Sequence, residues 1–173
     1  MNRLLVPVNA NDHIQGDGDA EWTLVEYGDY ECPVCGEAYP IVKQLQEQLG
    51  DRLLFVFRNF PLRQIHRMAE FAAETAEFAS AHGRFWQMHD LLFENQEDLE
   101  DELLFRLAAK IGLSADQLRR SLASEIYRDR IDLDFRGGIR SGVNGTPTFF
   151  INGVRHDGSF DFDTLLRAIA EAD

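Results

Sequence analysis

The segment Trp22-Thr23-Leu24-Val25-Glu26-Tyr27 is apolar on both alternating faces apart from Thr23 and Glu26, the pattern of a strand covered on both sides in an α/β sheet. The chain runs on through Gly28 and Asp29 to Cys32, and from Pro33 the apolar period becomes helical, with Ala38, Ile41, Val42, Leu45 and Leu49 in register and Gly50 as the stop. Leu53 to Phe57 reads as a second buried strand, ended by Asn59-Phe60-Pro61. A strand, a helix of this length and a second strand predict a right-handed crossover with parallel pairing. Ahead of this unit, Leu4 to Val8 predicts a short edge strand and Asn9 to Ala20 a polar, glycine-containing loop.

From about Ile65 to Ser141 the period is helical throughout, carried by Met68, Phe71, Ala72, Ala76, Phe78, Phe85, Met88, Leu92, Leu103, Leu104, Leu107, Ile111, Leu118 and Leu122. Breaks at His82-Gly83, Asn95 to Asp98, Gly112 and Gly137-Gly138 predict four or five helices, with Ser114 and Gln117 as a capping box. Thr148 to Ile151 then predicts a strand, Asn152-Gly153 a hairpin turn, Val154 to His156 the return strand, and Asp161 to Ala172 a closing helix. The order is β-α-β, a helical block, then β-β-α. The aromatic residues Phe85, Trp86 and Phe93, together with His66 and His89, read as core or boundary residues, and Glu97 to Glu102 as a solvated helix start.

Length and charge narrow the function. A chain of 173 residues that is 45% hydrophobic and 27% charged makes one globular domain, or one domain with a large insertion. Its 17 basic and 30 acidic residues give a formal charge of −13, the wrong sign for a nucleic-acid backbone or an anionic membrane surface. No run approaches the roughly 20 apolar residues of a membrane span. The apolar run after Met1 is too short and broken for a signal peptide, so a cytoplasmic protein is expected if Met1 is the natural start, and a periplasmic one if the N-terminus has been trimmed.

The two cysteines, Cys32 and Cys35, enclose Pro33 and Val34. As a staple, so small a loop is worth only about 2 kcal/mol by chain entropy. A structural zinc site needs four ligands; this pair offers two, and His13, His66, His82, His89 and His156 are scattered without ligand spacing, so zinc would require a second subunit or distant histidines. A redox dithiol accounts for more, because a cysteine at a helix start lies where unpaired N–H groups and the macrodipole favour the nucleophilic thiolate. In that reading Cys32 is exposed and nucleophilic, while Cys35, one turn in, is shielded and resolves the mixed disulfide. Asp29 and Glu31 oppose the dipole, so a modest lowering of the Cys32 pKa is expected. Glu26, inside a doubly covered strand, either carries the proton exchanged with Cys35 or pairs with an arginine such as Arg58, or reaches the sheet's edge. Pro147, entering the third core strand after Gly145-Thr146, lacks a ladder N–H; its bond is either cis, exposing backbone for an extended substrate, or an ordinary trans loop end.

The segments Val25 to Cys35, Phe57-Arg58-Asn59-Phe60-Pro61-Leu62 and Gly142 to Gly153 resemble the DsbA-like thiol-disulfide oxidoreductases of the thioredoxin superfamily, and the resemblance covers nearly the whole chain. It implies an α/β thioredoxin fold with an inserted all-helical block: residues 1–62 form the N-terminal half, 63–141 the insert and 142–173 the C-terminal half. It also implies Cys32 as nucleophile, Cys35 as resolving thiol, Glu26 as buried acid and Pro147 as a cis-proline facing the disulfide. Pro33, Val34 and Thr146 then face the substrate, and the chemistry needs neither metal nor organic cofactor. The Pro33-Val34 dipeptide lacks the histidine of strongly oxidising members, and many members work in the periplasm behind a secretion signal. A cytoplasmic dithiol of this kind is expected to reduce or isomerise disulfides in proteins or small molecules, with an unknown redox partner, no nucleic acid and no membrane insertion. The alternatives are a glutathione-dependent transferase or isomerase and a noncatalytic, chaperone-like peptide binder.

Overall fold

The computed structural model describes residues 2–172, so Met1 and Asp173, the two ends of the expected domain division, lie outside the described residues. In chain order the elements are β1 (His13–Gln15), β2 (Trp22–Gly28), α1 (Pro33–Leu49), β3 (Leu53–Asn59), α2 (Ala69–Ala81), α3 (Phe85–Glu94), α4 (Asp101–Lys110), α5 (Ala115–Ser124), α6 (Arg128–Arg140), β4 (Thr148–Ile151), β5 (Val154–His156) and α7 (Phe162–Ala170). The sheet order is β1-β3-β2-β4-β5. β2 and β3 pair in parallel, from Trp22 opposite Leu53 to Gly28 opposite Asn59, while β4 runs antiparallel to β2 and β5 antiparallel to β4. This is the predicted β-α-β and β-β-α order with five helices, α2 to α6, between the halves among the described residues.

Alternation along β2 builds the two apolar layers. Trp22 and Leu24 join Phe55, Phe57, Phe149 and Ile151 in a core that also takes Ala38, Val42 and Leu45 of α1, Met88 and Leu92 of α3, Leu104 of α4 and Leu165 and Ile169 of α7. Val25 and Tyr27 point the other way, against Leu54, Val56, Phe60, Val143 and Phe150, with Phe135 of α6 packed on them. Each large apolar side chain taken fully out of water contributes about 1.5–3 kcal/mol. The sheet is therefore gripped from both sides, as the unbroken apolar runs of β2 and β3 require.

Two local expectations are corrected. The edge strand expected at Leu4 to Val8 falls instead at His13–Gln15, antiparallel to β3. Pro7 has no N–H for a ladder, and the Val6 and Pro7 carbonyls accept from the Arg58 guanidinium at 2.8 and 3.1 Å. Gly137-Gly138 does not break a helix: α6 runs through it, and glycine serves close packing there, since a Cβ at Gly138 would meet the Phe60 ring at 2.9 Å and Tyr27 at 3.0 Å. The break that separates α5 from α6 lies at Glu125, which adopts a left-handed φ of 53°. Elsewhere Ser114 caps α5 by accepting from the Gln117 N–H, and Asn152-Gly153 turns the hairpin with φ of 45° and 79°.

Candidate active site

β2 ends at Gly28 and hands the chain to α1 through a four-residue turn in which the Cys32 N–H donates to the Asp29 carbonyl at 3.1 Å. Cys32 is the N-cap of α1 and Pro33 opens its first turn, where a missing N–H costs nothing. Pro33 and Val34 are exposed, Val34 at 41%. Cys35 is fully buried, and Cys32 is only 5% exposed, which corrects the expectation of an open nucleophile. The Thr146-Pro147 loop is what covers it: the Cys32 thiol lies 3.5 Å from the Thr146 carbonyl, to which it donates, and the Thr146–Pro147 bond is cis. The two sulfurs, the cis-proline loop and the start of α1 are thus brought together from distant parts of the chain.

The Cys32 thiol is held far below its ordinary value, down to about 5. A hydrogen bond from Cys35 is the largest cause; burial works against it, and the Thr146 side chain with the N–H groups of Cys35 and Val34 adds to it. The lowering exceeds the modest one expected, because the hydrogen bonds at the head of α1 outweigh burial. Asp29 accepts from the Glu31 N–H at 2.8 Å, the Leu62 N–H at 2.9 Å and the His66 ring at 2.8 Å. Glu31 accepts from the Met68 N–H. Both carboxylates bind the 62–68 loop. Cys35 moves the opposite way: burial first, then its hydrogen bond to Cys32 and the nearby Glu26, push its thiol well up.

Glu26 shares the face of Leu24, towards α1, and is 2% exposed with Oε1 lacking any hydrogen-bond partner. Burial and then Cys32 raise its carboxyl to about 8. It does not pair with Arg58, whose N–H groups go to both Asp12 oxygens at 2.8 Å, the Tyr27 hydroxyl at 2.9 Å and the Val6 and Pro7 carbonyls. At the other flank, the Gln96 side-chain amide donates to the Tyr30 and Cys32 carbonyls, both at 2.8 Å. His89 is a core residue as expected, 3% exposed, with Nδ1 3.0 Å from the Tyr30 hydroxyl and its ring edge-on to Phe57. His66 and Gln96 were not singled out for the site, since no spacing in the sequence ties either to the cysteines.

A buried, asymmetric Cys-x-x-Cys dithiol on this sheet defines a thioredoxin-fold oxidoreductase. The family model described as Thioredoxin matches residues 8–171, and the chain belongs to that family. Oxidised BdbD from Bacillus subtilis superposes with a TM-score of 0.83 at 26% identity, over 93% of this chain and 92% of that one. A thioredoxin-like oxidoreductase from Silicibacter pomeroyi DSS-3 gives 0.79 at 25%, over 94% and 92%. Wolbachia pipientis alpha-DsbA1 shares the fold, with a TM-score of 0.83 at 23% identity over 97% and 93%. In sequence, the chain is 43% identical over 170 residues to Na(+)/H(+) antiporter NhaA 1 of Salinispora arenicola, which covers 98% of this chain but 26% of that protein. The chain therefore spans about a quarter of the length of the curated relatives it matches.

These findings overturn the cytoplasmic location expected from Met1. The matching stretch occurs inside longer proteins named as antiporters, so the residues around Met1 are no ground for a compartment. No helix among the described residues is long and apolar enough to cross a membrane.

Proposed function

We propose that the Cys32–Cys35 disulfide oxidises protein dithiols, in place of the reductant or isomerase role expected alongside a cytoplasmic location. The observation that carries this reading is the asymmetry of the sulfurs: the Cys32 thiol is held down to about 5 while that of Cys35 is pushed well up. A thiolate stabilised in the reduced enzyme makes its disulfide the stronger oxidant and Cys32 the better leaving group. A substrate thiolate attacks the Cys32 sulfur, and the departing Cys35 sulfur takes a proton from Glu26, which is a neutral carboxyl at pH 7 because its pKa is raised to about 8. The second substrate thiol then attacks the mixed disulfide and displaces Cys32 as thiolate. Exposed Val34 and Pro33, with Thr146 and Pro147 opposite, supply the surface for an extended substrate strand. In this reading residues 63–141 act as an inserted unit that braces the two halves, 1–62 and 142–173.

Mixed-disulfide trapping tests the roles: Cys35→Ser is expected to accumulate a covalent adduct with a reduced peptide substrate's oxidised form, and Cys32→Ser is not. Equal trapping by the two variants defeats the assignment. The direction is tested by equilibration with glutathione, where a dithiol more reducing than glutathione would exclude the oxidant role.

A further inference from the structure

The turn between β2 and α1 holds a second charged group besides the cysteine thiolate. Asp29 is 2% exposed and three residues from Cys32, whose N–H its own carbonyl accepts. Two of its three carboxylate bonds come from main-chain N–H groups, of Glu31 and Leu62, which carry no net charge. The third comes from the His66 ring, Nδ1 to Oδ2 at 2.8 Å, and His66 is the partner there that can hold a positive charge. The charges that raise the His66 pKa are those of Asp29, Cys32 and Glu31, all from the same turn. On its own loop, Arg63 is engaged with Glu70 and Asp132, and Glu31 is taken by the Met68 N–H. Burial alone would lower the His66 pKa; the bond to Asp29 and the charges of Asp29, Cys32 and Glu31 outweigh it and raise the pKa.

We infer that His66 is a positioning residue for the exchange reaction: docked on Asp29 as an imidazolium, it cancels the buried carboxylate beside Cys32 and couples a proton on its ring to the Cys32 thiolate. The inference rests on the exchange role proposed above for Cys32. When a substrate dithiol is oxidised, it loses two electrons and two protons. Both electrons enter the enzyme disulfide, Cys35 keeps one proton as its thiol, and Cys32 remains a thiolate, so the second proton leaves the sulfur pair. His66 that is neutral in the oxidised enzyme binds that proton, and reoxidation of the dithiol releases it.

His66→Gln keeps an N–H donor for Asp29 but removes the charge. Loss of a nearby opposite charge is expected to raise the Cys32 pKa, read from its alkylation rate against pH, by about one unit. The equilibrium with glutathione then moves about tenfold toward the oxidised enzyme. Adding Asp29→Asn to His66→Gln removes the uncancelled charge and restores both values, which a mere loss of loop anchoring would not do. In the unsubstituted protein, NMR titration of His66 is expected to give a higher pKa in the reduced than in the oxidised form, by reciprocity of the coupling. An unmoved Cys32 titration in His66→Gln, an unrestored double variant, or equal His66 pKa values in the two redox states overturns the inference. Failure of the exchange reading itself shows separately, in the trapping by Cys35→Ser, because these titrations need no turnover.

Discussion

The side-chain amide of Gln96 donates to the main-chain carbonyl of Cys32 at 2.8 Å, so a residue of the helical block holds the turn that carries the reactive sulfur. The same nitrogen reaches the Tyr30 carbonyl, and Gly36 leaves room for the amide, since a Cβ there would stand 2.2 Å from Gln96 Oε1. Gln96→Ala removes the side-chain donor to the Tyr30 carbonyl, while the Cys32 carbonyl keeps the Gly36 N–H at 3.1 Å, and is expected to cost about 1–3 kcal/mol of stability. The midpoint of urea unfolding measures this. Gly36→Ala is expected to lower the midpoint as well, by pushing the amide off the same two carbonyls.

The Cys32 thiol, held at about 5, is ionised across the neutral range. Alkylation of the reduced protein by iodoacetamide is therefore expected to be flat from about pH 6 to pH 8 and to fall off below about pH 5, whereas a free thiol gains rate up to about pH 8.5. The linkage sign follows from the depressed pKa. The thiolate stabilises the reduced fold above the ordinary thiol range, and that contribution is lost as pH falls through about 5. A rate still climbing at pH 8 contradicts the geometry at the head of α1.

Much of this arrangement is legible in the chain. The apolar runs at Trp22–Tyr27 and Leu53–Phe57, with a helical period between, place Cys32 at the head of α1 as found, and Asn152-Gly153 announces its hairpin. Local pattern fails where a tertiary contact decides. Leu4 to Val8 has strand composition, but its Val6 and Pro7 carbonyls are claimed by Arg58, 52 residues away from Val6. Gly137-Gly138 looks like a stop, but the close approach of α6 to Tyr27 and Phe60 is what requires glycine. Asp29 and Glu31 are visible beside Cys32, yet they bind N–H groups at Leu62 and Met68 that no local spacing reveals.

Arg58 and Asp12 form a buried ion pair, at 2% and 4% side-chain exposure, that fastens the N-terminal segment to β3. Arg58→Met strands the Asp12 carboxylate and the Val6 and Pro7 carbonyls and is expected to cost about 3–5 kcal/mol. Arg58→Lys is expected to recover little of that, because an ammonium cannot reproduce the planar fork that reaches Asp12, Tyr27 and both carbonyls at once. Limited proteolysis before β1 reports the released segment.

Glu74 of α2 is fully buried, and neither carboxylate oxygen has a hydrogen-bond partner. Burial, reinforced by Glu70, raises its carboxyl from the ordinary 4.5 to about 7. The raised value means that its contribution to stability is intact below about 4.5 and is lost as pH rises to about 7, where the folded protein must ionise a desolvated group. Glu74→Leu removes that penalty and is expected to leave stability little changed at pH 4 and to raise it by about 1–4 kcal/mol at pH 8. Thermal unfolding of both proteins at the two pH values measures the difference, and a gain as large at pH 4 as at pH 8 would show better packing rather than the carboxylate as its source.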